Sequence, residues 1–416
     1  MKNGVVIVGA GHAGVQAAAS LREEGFDGPV VLLGDEKELP YHKPPLSKTF
    51  IKDAKAKPQP LRGEVFYSGN AIDFRPGTNV ERIDLLARRL ELAGGGGLSF
   101  DRLILATGSR PRTLPLAGDL DGIFSLRSIA DARAIRAMSG DCQDAVILGG
   151  GFIGLEIAAT LRAGGCNVTV IEAADRLLGR AIAPVIAAHV HKRLESIGVR
   201  VLTATTVTRL ESQNGHVSAA FISTGERLPA RMVIVGIGVV PNVELAEMAG
   251  LAIANGIRVD RQMRTSVPEI LAIGDAASYP HWFTGMDVRL ESVQNATDHA
   301  KLAARTILGH QDAYSAVPWF WSDIGDMKLQ MVGLTGTSNR HIVSGEPDDN
   351  RFSVYHFSGP KLIGIESVNR PADHMIGRKM LGLGFTPTDE MIAGGAPALK
   401  AAIATQAAET AQPAAE

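Results

Sequence analysis

Two segments of this chain, far apart in sequence, repeat one design that few folds can accommodate. Val5-Val6-Ile7-Val8 runs into Gly9, Gly11 and Gly14 and then into an alanine-rich helical stretch through Leu21. Ala145-Val146-Ile147-Leu148 runs into Gly149, Gly151 and Gly154 and then into Leu155 to Leu161. Glycines at this spacing, after a strand and before a helix, permit a tight turn, close approach of backbone N–H groups to a pyrophosphate, and snug helix–strand packing. The helix amino terminus adds partial positive charge for the phosphates. Each segment therefore reads as a dinucleotide half-site in a parallel sheet covered by helices. His12 lies within the first loop, where its backbone alone matters to this reading.

Each loop has an acidic sequel. Val30-Val31-Leu32-Leu33 delivers Asp35 or Glu36 to a strand end, and Val168-Thr169-Val170-Ile171 delivers Glu172. A carboxylate there accepts hydrogen bonds from two free ribose hydroxyls and repels a 2′-phosphate, so NADH is expected over NADPH. Arg176 is the one nearby cation that would admit some NADPH if it swung onto a phosphate. Because hydride transfer needs a donor and an acceptor in contact, one half-site is expected to hold a flavin and the other a nicotinamide.

A third signal, Glu269 to Ala276, is a buried strand ending in Gly274-Asp275, and Leu103 to Gly108 is another buried strand reaching a turn. Gly94 to Gly97 reads as a glycine-rich hairpin. Beyond Pro318 the sequence turns aromatic and amphipathic. The expected architecture is α/β: two Rossmann-like dinucleotide-binding domains and a smaller α+β C-terminal domain. Residues 318–400 would form the C-terminal domain and 401–416 a flexible tail, and the family resemblance given below implies an FAD domain of residues 1–111 and 243–317 with an NAD domain of residues 112–242 inserted in it.

Composition narrows the function classes. Of the 416 residues 45% are apolar, but none of the runs approaches the ~18 uncharged residues of a membrane span. The opening MKNGVVIVGAG enters a strand with no room for a signal peptide, so a cytoplasmic address is expected. A formal net charge of −2 supplies no global field for nucleic acid or anionic membranes. Cys142 and Cys166 fit neither a C-x-x-C nor a zinc spacing and are read as plain thiols, with no metal site. His189 and His191 diverge on a helix, too far apart for joint metal binding, and are read as surface residues.

The ordered set of motifs resembles the two-dinucleotide-binding-domain flavoproteins, and within them the bacterial FAD-dependent, putidaredoxin reductase-like ferredoxin reductases of cytochrome P450 and ring-hydroxylating dioxygenase systems. The resemblance rests on Val6 to Gly11, Pro44-Pro45-Leu46-Ser47-Lys48, Leu105-Ala106-Thr107-Gly108, Gly149 to Glu156, Gly236 to Asn242, Ala272 to Asp275, Glu291-Ser292-Val293 and Pro318-Trp319-Phe320-Trp321. It spans nearly the whole chain, from about Val5 to about Arg370.

It implies that Gly9, Gly11, Ala13, Gly14, Asp35, Lys48, Val80, Arg127, Asp275 and Val293 surround FAD. It likewise implies that Gly149, Gly151, Ile153, Gly154, Glu156, Glu172 and Gly238 surround NAD. Lys48 would stabilise negative charge on a reduced flavin, against the alternative of a surface lysine. Glu156 would orient the nicotinamide amide, against simple pairing with a helix dipole. Trp319 and Trp321, on one side of a strand, would shape the flavin site or line an electron exit, against core packing. Asp275 would bond flavin hydroxyls, against an ordinary turn.

The activity implied is hydride transfer from NADH to FAD, then release of single electrons to a [2Fe–2S] ferredoxin. No cysteine occurs in Tyr41-His42-Lys43-Pro44-Pro45, where related thiol enzymes carry one, so thiol chemistry is disfavoured. Arg289, Lys301, Arg305 and Lys328 are the candidate ferredoxin patch, and a monomer or weak homodimer is expected. Alternatives of the same build are a rubredoxin reductase, an NADH oxidase or a quinone reductase. A different class is an NADH-responsive signalling flavoprotein.

Overall fold

The computed structural model describes residues 4–179 and 182–411. By its contacts the chain divides into two compact units, one of residues up to Pro44, Lys57–Arg110 and Val239–Ala316, the other of Pro45–Ala56, Pro111–Gly238 and Val317 onward.

The first unit is built on five parallel strands in the order Ile270–Ala272, Arg102–Leu105, Val5–Val8, Val30–Leu33, Ile72–Arg75. Val5–Val8 and Val30–Leu33 are buried at every position, the pattern of a sheet covered on both faces. The chain steps from Val5–Val8 first to one side and then to the other. A ligand crevice forms at such a reversal, outside the carboxyl ends of the strands, and here that end carries Gly9. The helices His12–Glu23 and Val293–Ile307 belong to the same unit and pack on each other. Gly94, Gly95 and Gly96, all at positive φ, turn Arg89–Leu92 into Gly97–Ser99, which pairs with it antiparallel.

The second unit repeats the plan with parallel strands in the order Val199–Leu202, Asn167–Ile171, Asp144–Leu148, Met232–Val235, Ile123–Phe124. Its reversal falls beside Asp144–Leu148, whose carboxyl end carries Gly149. The same unit holds an antiparallel sheet in the order Trp319–Ile324, Met327–Gly333, Lys361–Val368, Arg351–Ser358, Arg340–Glu346. Ile324, Leu329, Phe352 and Val368 share a core with Ile147, Leu155 and Val190.

The structure departs from several sequence expectations. Segment 45–56 belongs to the second unit, because Thr49–Lys52 packs on Ile129–Ser139 and Ile51 enters that core. The residues from Val317 onward carry their own antiparallel sheet and the helix Pro371–Leu383, as expected of a C-terminal α+β domain, and by their contacts they cluster with the second unit. The tail expected to be flexible from 401 is helical as Gly395–Ala411, since alanine is the strongest helix former and Leu399 and Ile403, one turn apart, are buried. Residues 412–416 and Met1–Asn3 lie outside the described residues. His189 is not a plain surface residue: its ring meets the edge of Phe352 and its Nε2 lies 2.8 Å from Asn350 Oδ1. No helix among the described residues is long and apolar enough to cross a membrane.

Candidate functional site

Gly9 turns the chain at φ +105°, and a Cβ there would lie 2.3 Å from the Ala106 carbonyl oxygen, so no other residue fits. Gly14 abuts the Gly9 carbonyl in the same way. Gly11 differs, because the space its Cβ would fill holds no atom within 4 Å. It is the N-cap of His12–Glu23, with no side-chain cap and no acidic residue in the first turn. Helix N–H groups facing open space beside a glycine fit the pyrophosphate of FAD.

Around this loop the first unit gathers several of the expected residues. Ala13 sits in the first helical turn, and a Cβ at Gly274 would approach its methyl group to 3.0 Å, which brings Asp275 to the loop. Asp275 accepts a hydrogen bond from Ser109 Oγ at 2.9 Å, so it is more than a turn residue. Val293 opens the helix Val293–Ile307, and Val80 opens the strand Val80–Asp84. Of the two acids after the second strand, Glu36 is engaged by Tyr41 and Lys43, while Asp35 is exposed at the strand end and suits a ribose. Arg127 and Lys48, expected beside FAD, fall in the second unit, where the Arg127 backbone N–H donates to Asp131.

The second loop has the same anatomy. Gly149 turns at φ +102° with a Cβ position 2.4 Å from Gly236 O; Gly154 abuts the Gly149 carbonyl; Gly151 again faces open space at an uncapped helix, Phe152–Ala163. Glu172 accepts N–H bonds from Gly150 and Ala174, each at 2.7 Å, one on each carboxylate oxygen. A carboxylate oxygen takes about two hydrogen bonds, so acceptor capacity is left for ribose hydroxyls. Arg176 donates to the carbonyls of Gly179 and Ile182 at 2.6 and 2.9 Å, which turns its guanidinium to the backbone. Ile153 is 45% exposed on the first helical turn and Gly238, at φ +100°, is exposed beyond the next strand. These residues fit an NAD dinucleotide.

Glu156 is buried, and its carboxylate gathers Lys48 Nζ at 2.8 Å, Ser47 Oγ at 2.5 Å and Ser322 Oγ at 2.6 Å. Lys48 is thus a half-buried, ion-paired cation rather than a surface lysine. Removing one partner of such a pair strands the other charge, a loss of about 3–5 kcal/mol. Ser322 carries no sequence signature, and Ser47 lies in the Pro44–Lys48 motif with no role of its own legible there; this carboxylate gives both their place.

Trp319 and Trp321 lie on one face of Trp319–Ile324 with ring centroids 5.6 Å apart, both half-buried, so neither is plain core. The Arg378 guanidinium stands 4.7 Å from the Trp319 centroid. Of the basic patch expected from sequence, Arg289 pairs with Glu291 and is nearly buried, and Arg305 pairs with Glu24 and Asp312. Lys301 is exposed in the first unit and Lys328 in the second.

Residues 3–300 match the pyridine nucleotide-disulphide oxidoreductase family, and residues 319–403 match a reductase C-terminal domain. The chain belongs to the pyridine nucleotide-disulphide oxidoreductase family. This member is 42% identical to rhodocoxin reductase of Rhodococcus erythropolis over 96% of this chain and 94% of that one. It superposes with a TM-score of 0.94 on the ferredoxin reductase for the CYP199A2 system from Rhodopseudomonas palustris, at 42% identity, covering 96% of this chain and 100% of the other. The reductase of a covalent putidaredoxin reductase–putidaredoxin complex superposes equally well, with a TM-score of 0.94 and 37% identity over 98% and 99% of the two chains. This oxidoreductase family uses FAD and NADH, which the two glycine loops fit.

Proposed function

We propose that the chain is an NADH-dependent ferredoxin reductase that feeds an oxygenase such as a cytochrome P450. The observation that carries this reading is the pairing of two open, uncapped glycine loops with the absence of cysteine from Tyr41 to Lys48. FAD, when bound, supplies the change from a two-electron hydride donor to one-electron acceptors. The protein's own contribution is positioning and electrostatics. The helix ends behind Gly11 and Gly151 offset pyrophosphate charge, and Glu172 takes the adenosine ribose of NADH. Lys48, paired with Glu156, is a fixed cation of the unit that carries the second loop.

The partner is a [2Fe–2S] ferredoxin held briefly, and the setting is the cytoplasm, where NADH is the available reductant. Its docking surface centres on the helix Pro371–Leu383, where Met375, Arg378, Lys379 and Leu383 are exposed and Arg378 lies over Trp319. A mixed apolar and basic face of this kind suits a transient acidic partner.

The test is anaerobic stopped-flow reduction of the purified holoprotein by NADH and by NADPH, followed by mixing with a [2Fe–2S] ferredoxin from the same source. Rapid bleaching by NADH and fast reoxidation by the ferredoxin are expected. Reoxidation by rubredoxin, quinone or oxygen alone would replace the ferredoxin reading, and no bleaching would overturn the enzyme itself.

A further inference from the structure

The two cysteines, 24 residues apart in sequence, are neighbours in space: Cys166 Sγ lies 3.0 Å from Cys142 Sγ, and both side chains are buried. Parallel pairing brings them together. Asp144–Leu148 and Asn167–Ile171 run side by side with Asp144 opposite Asn167, and the Asn167 N–H donates to Gln143 O at 2.8 Å just ahead of that pair. Cys142 and Cys166 precede these residues at the amino ends of the two strands, whose carboxyl ends carry Gly149 and Glu172. Both are free, buried thiols, as read from the sequence; the fold adds that they are neighbours.

This pair is unlike the redox cysteines of thiol-dependent relatives, which would need a cysteine near Tyr41 to Pro45. It is also not a metal site, because among the described residues no third histidine, cysteine, aspartate or glutamate joins it. Two apolar thiols would pack with no need for sulfur to meet sulfur. Here Cys166 donates to Cys142, and Cys142 donates to the Asp144 carbonyl at 3.5 Å. The hydrogen bond from Cys166 holds the Cys142 thiol below its ordinary range, while that bond and burial push Cys166 up. A thiolate forms at Cys142 first, and a thiolate rather than a thiol is the nucleophile in oxidation.

We propose that Cys142 and Cys166 are a disulfide-forming pair, oxidised reversibly by a peroxide, that staples the nucleotide-binding strand–helix–strand unit at the end away from its ligand loops. The Cys142 thiolate attacks one oxygen of hydrogen peroxide, the O–O bond breaks, and the sulfur becomes a sulfenic acid while hydroxide leaves and takes up a proton as water. Cys166 sulfur then attacks the Cys142 sulfur, the S–O bond breaks, and the thiol proton leaves with the hydroxyl as a second water. Two thiols and one peroxide thus give one disulfide and two waters. The sulfurs must close by only about 1 Å to reach an S–S bond of about 2.05 Å. The link closes a loop through the Gly149 turn and the helix Phe152–Ala163, so it stabilises chiefly by restricting the unfolded chain. The strand Asn167–Ile171 lies between Cys166 and Glu172, which puts them about 20 Å apart at ~3.3 Å per residue, and the nucleotide loops keep their shape.

The experiment treats the reduced holoprotein with equimolar hydrogen peroxide, unfolds it in denaturant with an alkylating reagent, and counts labelled thiols by intact mass. Labelled cysteines should fall from two to none, one intrachain linked peptide pair should appear, and dithiothreitol should restore both thiols. The oxidised wild type should melt a few degrees above the reduced form, while Cys142→Ser and Cys166→Ser, near-isosteric changes, should melt alike with and without peroxide. Two labelled thiols after oxidation, or disulfide-linked dimers in place of the intrachain link, would overturn the proposal.

Discussion

Glu172 does two jobs with one carboxylate. Its oxygens fasten the Gly150 and Ala174 N–H groups, and in the proposed reading its charge would face the adenosine ribose. Glu172→Gln would set an amide NH₂ against one of those backbone donors, and Glu172→Ala removes both acceptors together with the charge. The alanine variant should raise the KM for NADH and narrow the NADH over NADPH preference by about tenfold, on the order of 1.4 kcal/mol. The check is the ratio of kcat/KM for the two nucleotides; an unchanged ratio would remove Glu172 as the discriminator. Arg176 is held by two carbonyls, so its replacement should leave that ratio alone. Much of this site was legible in the sequence, because glycine loops and strand-end acids are fixed by local spacing. Ser322 was not, and Ser47 was legible only as part of the Pro44–Lys48 motif, without its bond to Glu156. Serines that satisfy a buried carboxylate across the fold leave no periodic trace.

At the scale of elements, parallel strands announced themselves as short apolar runs, whereas contacts that depend on strand register stayed hidden. The sulfur pair is one case. The helical end of the chain is another, since an alanine-rich segment reads as low complexity until Leu399 and Ile403 are seen to be buried. A third is the cluster under the strand Ala277–Pro280 and the helix Val293–Ile307, where Tyr279, His299 and Tyr314 meet edge to face with ring centroids 4.4 to 5.0 Å apart and His281 lies alongside. His299 is held at about 3 by burial and by His281, and His281 at about 4 by burial. Both are depressed from 6.5, so below that pH the unfolded chain binds more protons than the folded one. The stability they allow is complete above pH 6.5 and is lost as the pH falls toward 4 and then 3. The melting temperature should therefore drop steadily between about pH 6.5 and about pH 4, with a shallower drop for His281→Phe. Equal slopes for wild type and variant would assign acid lability elsewhere.

For the molecule as a whole, a net charge of −2 means that recognition of an acidic partner would rest on a local surface. Arg289 and Arg305 do not supply one, because each is already matched by carboxylates on its own unit. The exposed face of Pro371–Leu383 offers Arg378 and Lys379 between Met375 and Leu383. Apolar contacts there would hold the partner, while the two cations would steer it, so their effects should separate with salt. Arg378→Glu with Lys379→Glu should raise the KM for ferredoxin about tenfold at low ionic strength. The difference from wild type should shrink as salt rises and the Debye length falls to about 3 Å at 1 M. Bleaching by NADH in the absence of ferredoxin should be unchanged in rate for Lys379→Glu alone, since of the two only Arg378 touches Trp319. A variant that keeps the wild-type KM at every ionic strength would move the docking surface off this helix and return Lys301 and Lys328 to consideration.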